Sequence, residues 1–216
     1  QNAIEFFQSG GPFMYPIVVV LALGTAIALE RWIYLTYARA NNRRLWDRVV
    51  PLLRDGRLNE AKKTVDASDS AIARILGYGI SRLPGRRRDD VEMAMEEGLM
   101  EVIPRLEKRT HYLATLANLA TLLGLLGTIM GLIEAFTAVA NANPQEKADM
   151  LSASISVAMN TTAFGLMVGI PLLFIHTVLQ TKSTEVVDSL EMASVRFVNM
   201  LAEKRPEAAG GAGAAA

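Results

Sequence analysis

Uncharged apolar runs recur three times along this 216-residue chain, and each reaches the roughly 20 residues that a helix needs to cross a bilayer. The first begins near Pro12 and ends at "ERWIYLTYAR", where Trp32, Tyr34 and Tyr37 make an interfacial aromatic belt. The second, "YLATLANLATLLGLLGTIMGLI", runs from Tyr112 to Ile133 and then meets Glu134. In the third, between Met150 and Thr181, His176 is the one residue that is even weakly basic. The pattern predicts an all-α membrane protein with transmembrane helices at 12–38, 112–140 and 150–181.

The stretches between are polar but keep a helical period. In "RRLWDRVVPLLRDGRLNEAKKTVDAS", Leu45, Val49, Leu52, Leu53 and Leu58 recur at helical intervals, with Gly56 as a break between two short helices. A loop at Pro84-Gly85 precedes an N-cap candidate at Asp89 or Asp90, with acids in the first turn. From there the pattern runs into the second span, interrupted only by Pro104. A helix over 90–140 would be about 75 Å long at 1.5 Å per residue. After the third span, Val187, Leu190, Val195, Val198 and Leu201 form an apolar stripe suited to packing on that stalk. The expected organisation is therefore an outer segment 1–11, a helical domain 39–111, an outer loop 141–149, a helix 182–205 and a low-complexity, disordered tail 206–216.

Charge orients this layout. Lys and Arg are absent from 1–15, and the loop "NANPQEKAD" holds only Lys147, whereas 39–111 and the segment after Thr181 are rich in both. The positive-inside rule then places 39–111 and the C-terminus in the cytoplasm and the N-terminus outside. No basic n-region precedes the first run, so a cleaved signal peptide explains it poorly. A net charge of zero gives no reason to expect nucleic acid. The absence of cysteine removes disulfides, thiol nucleophiles and cysteine metal sites, and His111 and His176 lack metal-ligand spacing. No phosphate loop, dinucleotide fingerprint or nucleophile elbow is present. The expectation is a non-enzyme with no cofactor and no metal.

Polar and small residues inside the spans are the candidate chemistry. At 100° per residue Asn118, Thr121, Leu125 and Thr128 share one face of the second span, and Ala158, Thr162, Gly165, Gly169 and His176 share a stripe of the third. Each span also carries a G-x-x-x-G spacing, Gly127 with Gly131 and Gly165 with Gly169, which lets backbones approach closely. Two readings of Thr128 and Thr162 stand side by side: hydroxyls satisfied on their own i−4 carbonyls, or hydroxyls lining a path for something other than lipid.

"LLGLLGTIMGLIEAF" (122–136) and "NTTAFGLMVGIPLL" (160–173) resemble the two pore-forming helices of the MotA/TolQ/ExbB proton-channel family, and the order of segments is similar to its three-span ExbB and TolQ branch. The resemblance implies a homopentameric ring around a single-span partner of the ExbD or TolR type, whose intramembrane aspartate carries protons. It implies a bacterial inner-membrane motor that works on a TonB-like protein to energise outer-membrane transport, or a TolQ-like motor of envelope constriction. It also implies that Thr128 and Thr162 face the pore. One departure stands out: Val157 occupies the position where this branch commonly has glutamate, which keeps a non-conducting structural scaffold as an alternative. A secondary transporter is disfavoured, because three spans show no inverted repeat.

The remaining residues divide as follows. Glu134 is either an outer-side relay or a contact residue, its place near the helix end favouring contact. Asn160 lies on another face of its span, with Ser152 and Ser156, and suits subunit or helix contacts. His176 suits an interfacial hydrogen bond, Pro171 a bend, Glu30-Arg31 an interface pair, and Arg86-Arg87-Arg88 a solvated loop.

Overall fold

The computed structural model describes residues 2–83 and 87–211, with backbone alone for 204–211. Seven helices account for nearly all of them: α1 (Ala3–Ser9), α2 (Met14–Arg54), α3 (Leu58–Asp66), α4 (Ala71–Ser81), α5 (Arg88–Glu107), α6 (Thr110–Ala140) and α7 (Lys147–Gly211). Three stretches, within α2, α5–α6 and α7, are long and apolar enough to cross a membrane, and no strand occurs among the described residues. The Pro84-Gly85 loop lies outside the described residues. The chain forms two compact units, one of residues 1–31 and 109–179 and the other of 32–108 and 180–216.

In the first unit α1, α6 and the adjoining parts of α2 and α7 pack together. The helix α1 has no counterpart in the apolar pattern, because seven residues are too few to show a period. It is held by tertiary contacts: Phe6 and Phe7 meet Phe164 edge-on at 6.4 and 6.2 Å between centroids, and Asn160 Nδ2 donates to Ser9 Oγ at 3.1 Å. Gly10 and Gly11 then turn the chain into α2, Gly11 with φ +76°. Exposed Leu, Ile, Phe and Met side chains along α2, α6 and α7 suit lipid or other subunits rather than water.

The second unit buries Leu45, Val49 and Leu53 of α2 with Val65 of α3, Leu76 of α4, Met95 of α5 and Leu190 of α7. Here α2 does not stop at the membrane edge to be followed by a separate short helix. It continues to Arg54, carrying Pro51 in its last turn. Gly56 ends it as the pattern predicts. Arg57 N donates to Leu52 O at 2.9 Å and Gly56 N to Leu53 O at 3.3 Å, a Schellman closure that needs the φ of +75° found at Gly56. Gly56→Ala is therefore expected to destabilise the protein by about 1–2 kcal/mol, the cost of a left-handed L-residue, read as a lower melting temperature in detergent.

Sequence reasoning drew no helix over α4, although it is the most buried element of this unit. Ser70 caps it by accepting from Ala73 N at 3.3 Å, and Asn42 of α2 accepts from Ile72 N at 3.3 Å. Two of its orphan N–H groups are thus satisfied, one from a distant helix. Opposite it, Gly98 brings α5 so close that an added Cβ would lie 3.1 Å from Ile75 Cα. Tyr78 OH donates to Glu101 Oε2 at 2.8 Å, and Arg74 pairs with the same carboxylate. The Tyr78 bond and then the Arg74 charge hold Glu101 below the usual carboxylate range.

Five further expectations need correction. The long stalk breaks at Lys108–Arg109, with Arg109 at φ 63°, and not at Pro104, which α5 carries inside its last turn. Beside the break, Ser183 Oγ donates to Leu106 O at 3.2 Å. The N-cap of α5 is Arg87, so Asp89 and Asp90 lie within its first turn. Arg88 is bonded to Glu92 and Asn199 rather than merely solvated. On α7, Val187, Leu190 and Val198 are buried as expected, whereas Val195 is exposed and Phe197 takes the core position. Finally, α7 runs through Gly211 into the expected disordered tail, as an alanine-rich segment with high helix propensity can.

Candidate functional site: the hydroxyl pair between α6 and α7

Within the first unit α6 and α7 are held together by residues without bulk. An added Cβ on Gly165 would lie 2.6 Å from Ala120 O and 3.0 Å from Gly124 Cα, and one on Gly169 would lie 3.0 Å from Ala117 O. An added Cβ on Gly131 would lie 2.9 Å from the Ala158 methyl, and one on Gly127 would meet the Thr161 side chain. All four glycines of the two G-x-x-x-G spacings thus lie at helix contacts, which gives backbones the proximity that van der Waals association in lipid requires. Gly124, part of neither spacing, makes the closest crossing with Gly165. Its position four residues before Thr128 was the available signal.

One turn along from that crossing, Thr128 and Thr162 hydrogen-bond to each other. Thr128 Oγ1 also reaches Gly124 O at 3.2 Å and Ala158 O at 3.3 Å. Thr162 Oγ1 reaches the same two carbonyls at 3.1 and 3.2 Å. The back-bonding reading of these threonines holds, and each hydroxyl also crosses to a carbonyl of the other helix. Each carries one proton and has three acceptors in reach, so the proton can change acceptor without the hydroxyl losing its bond. Both residues are half-buried.

The stripe on α7 lies as its spacing predicts. Ala158, Thr162, Gly165 and Gly169 all touch α6, and His176 Nδ1 shares a hydrogen bond of 2.9 Å with Thr110 O. On α6 the contacting face is turned by about one residue from the expected one. Ala117, Ala120, Thr121, Gly124 and Thr128 face α7, while Asn118 and Leu125 are exposed. Thr161, which sequence reasoning left without a role, is buried and donates to Gly10 O and to Val157 O. It ties the α1–α2 turn to α7. Glu134 and Pro171 are exposed, and α7 passes Pro171 without a break. Val157 is partly exposed and approaches Gly11.

A second polar group sits at the other end of this unit. Arg31 is 1% exposed, and its guanidinium lies 3.7 Å from Glu30 Oε1, which Arg109 also approaches at 3.4 Å. The expected Glu30–Arg31 pair is thus a triad with a buried member. No cluster of His, Asp and Glu among the described residues could hold a metal ion.

These features define a helical membrane protein whose core crossing is built from glycine and two facing threonines. A model of the MotA/TolQ/ExbB proton channel family matches residues 67–192, and the chain belongs to that family. A protein named as a biopolymer transport ExbB homolog from Methanothermobacter thermautotrophicus is 28% identical over 193 residues, 88% of this chain and 67% of the relative. An ExbB-like biopolymer transport protein of Synechocystis sp. is 26% identical over 175 residues, 81% of this chain and 83% of its own length. The Tol-Pal system protein TolQ of Haemophilus influenzae is 37% identical over a shorter stretch of 78 residues, 36% of this chain and 34% of that protein.

Proposed function

We propose that this chain is the ring-forming inner-membrane subunit of a proton-driven motor. Five copies surround a single-span partner of the ExbD or TolR type, and the ring works on a TonB-like protein to energise outer-membrane transport. The names of the relatives, ExbB over most of the chain and TolQ over part of it, support that output over the TolQ-like one. The observation that carries the reading is the Thr128–Thr162 pair, two hydroxyls with interchangeable acceptors inside an otherwise apolar crossing. A hydroxyl donates and accepts without carrying charge, so it can order water beside a partner's carboxylate without the cost of a second buried ion. In this reading the chain works as a transport subunit.

A non-conducting scaffold is the second reading. It is favoured by Val157, an apolar side chain where a ring carboxylate is expected. Thr162→Val separates the two, because valine keeps the shape and loses the hydrogen bond. Under the motor reading, gradient-dependent uptake is abolished while ring recovery stays at wild-type level, and Thr162→Ser keeps part of the activity. Normal uptake in a Thr128→Val, Thr162→Val double variant overturns the role of both threonines.

Orientation is tested independently. With no native cysteine, Glu5→Cys and Gln145→Cys are expected to react with an impermeant thiol reagent from the periplasm, and Glu60→Cys and Met200→Cys are not. The reverse pattern would invert the topology.

A further inference from the structure

The second unit carries an open groove between α2 and α7 on one side and an unpartnered acidic face of α5 on another. The groove has a volume of about 560 Å³ around Trp46, Arg54 and Arg196. It continues into a second hollow of about 260 Å³ that shares Trp46 and Arg196 and adds Arg39 and Arg43. Arg39 is paired with Glu185 at 3.8 Å. Arg43, Arg54 and Arg196 take part in none of the ion pairs among the described residues. On α5, Met93 and Met100 are 69% and 67% exposed. At 100° per residue they share a face with Asp89, Glu96 and Glu97, all three exposed.

We infer that the groove of one copy receives the α5 face of the next copy around the ring. Charge is the first reason: three arginines with no ion pair among the described residues meet a row of carboxylates. The second is apolar fit, since Trp46 beside Arg guanidinia offers a surface that the flexible thioethers of Met93 and Met100 can fill. Level is the third. Ser183 bonds Leu106, and Lys182 lies over the Trp32 ring at 3.6 Å, so Trp32, Leu106 and Ser183 mark one end of this unit. From that end Trp46 lies about 20 Å along α2 and Met93 about 20 Å along α5 at 1.5 Å per residue. Rotation about a ring axis parallel to the helices preserves level, so Trp46 of one copy meets Met93 of its neighbour. Two different patches mated head to tail close into a ring, as an isologous pair of identical patches does not.

The inference rests on the ring proposed above, and the experiment separates the two. In the full-length chain in membranes, Trp46→Cys with Met93→Cys, and independently Arg43→Cys with Glu97→Cys, are oxidised and run on denaturing gels. Both pairs are expected to give a ladder of cross-linked copies, absent from each single-cysteine variant. Arg43→Glu with Arg196→Glu should weaken association about tenfold or more, with the helical signal unchanged. Adding Glu96→Arg and Glu97→Arg to the same chain should restore it to within about threefold, as coupled charges do. A ring with neither ladder, and with silent reversals, overturns this interface and leaves the ring standing. A wild-type chain that is monomeric in membranes overturns both. Weakened association that anionic lipid restores, and the compensating reversals do not, overturns the inference in favour of a lipid headgroup in the groove.

Discussion

Gly165→Leu is expected to yield almost no folded protein from membranes. Even the first carbon of the new side chain would lie 2.6 Å from Ala120 O and 3.0 Å from Gly124 Cα. These are backbone atoms inside α6, so no rotamer change can relieve the collision, and the two helices must separate along the whole crossing. Gly165→Ala alone is expected to cost about 2–3 kcal/mol, near the upper part of the range for overpacking a tight core. Leucine adds three more carbons to the same gap. The Thr128–Thr162 bond is lost with the crossing, because Thr162 lies one turn away and needs the same approach. Met167→Leu, at a position 62% exposed on the same helix, is the control and should be silent. Yield after membrane extraction and the melting temperature of the purified protein measure both. A Gly165→Leu variant with wild-type melting would show that α6 and α7 do not cross at this point.

The parts of this fold that could be read in the sequence are those whose signal is local and repeated. The spans are legible because about 20 uncharged residues in a row have few alternatives. The α7 stripe is legible because an unbroken helix keeps its phase from Ala158 to His176. Phase is lost where the chain breaks for reasons carried elsewhere. Beside the opening at Arg109, Ser183 Oγ bonds the Leu106 carbonyl from 77 positions away, while Pro104, the louder breaker, gives up a single bond on an exposed side of α5 and is absorbed. Likewise α4 has one of its first N–H groups satisfied by Asn42, 30 residues away, and α1 is held by Phe164 and Asn160. The Thr128–Thr162 pair stood out by residue type. That the two hydroxyls bond each other required the actual rotation of α6, which differs from the expected face by about one residue.

Glu30→Ala is expected to destabilise the protein by about 3 kcal/mol, the lower end of the range for stripping the partner from a buried ion. Glu30 Oε1 lies within 4 Å of two guanidinia, and they differ in what the loss would mean. Arg109 is 40% exposed at its side chain and can turn to water or headgroups. Arg31 is 2% exposed there, so its charge would stay where solvent cannot compensate it. Its other contacts persist, and this keeps the expected cost from the top of the range. Arg109→Ala should accordingly cost less than about 1 kcal/mol, as exposed pairs do. The decisive variant is the double one. Glu30→Ala with Arg31→Met removes the charge along with its partner and fills much of the same volume with an apolar chain. It should recover most of the stability lost in Glu30→Ala, because a buried pair replaced by apolar groups is often near neutral. Thermal unfolding of wild type, Glu30→Ala, Arg31→Met and the double variant in one detergent closes the cycle. Costs that simply add in the double variant would mean that Glu30 does not compensate Arg31, and that the triad stabilises the unit by packing alone.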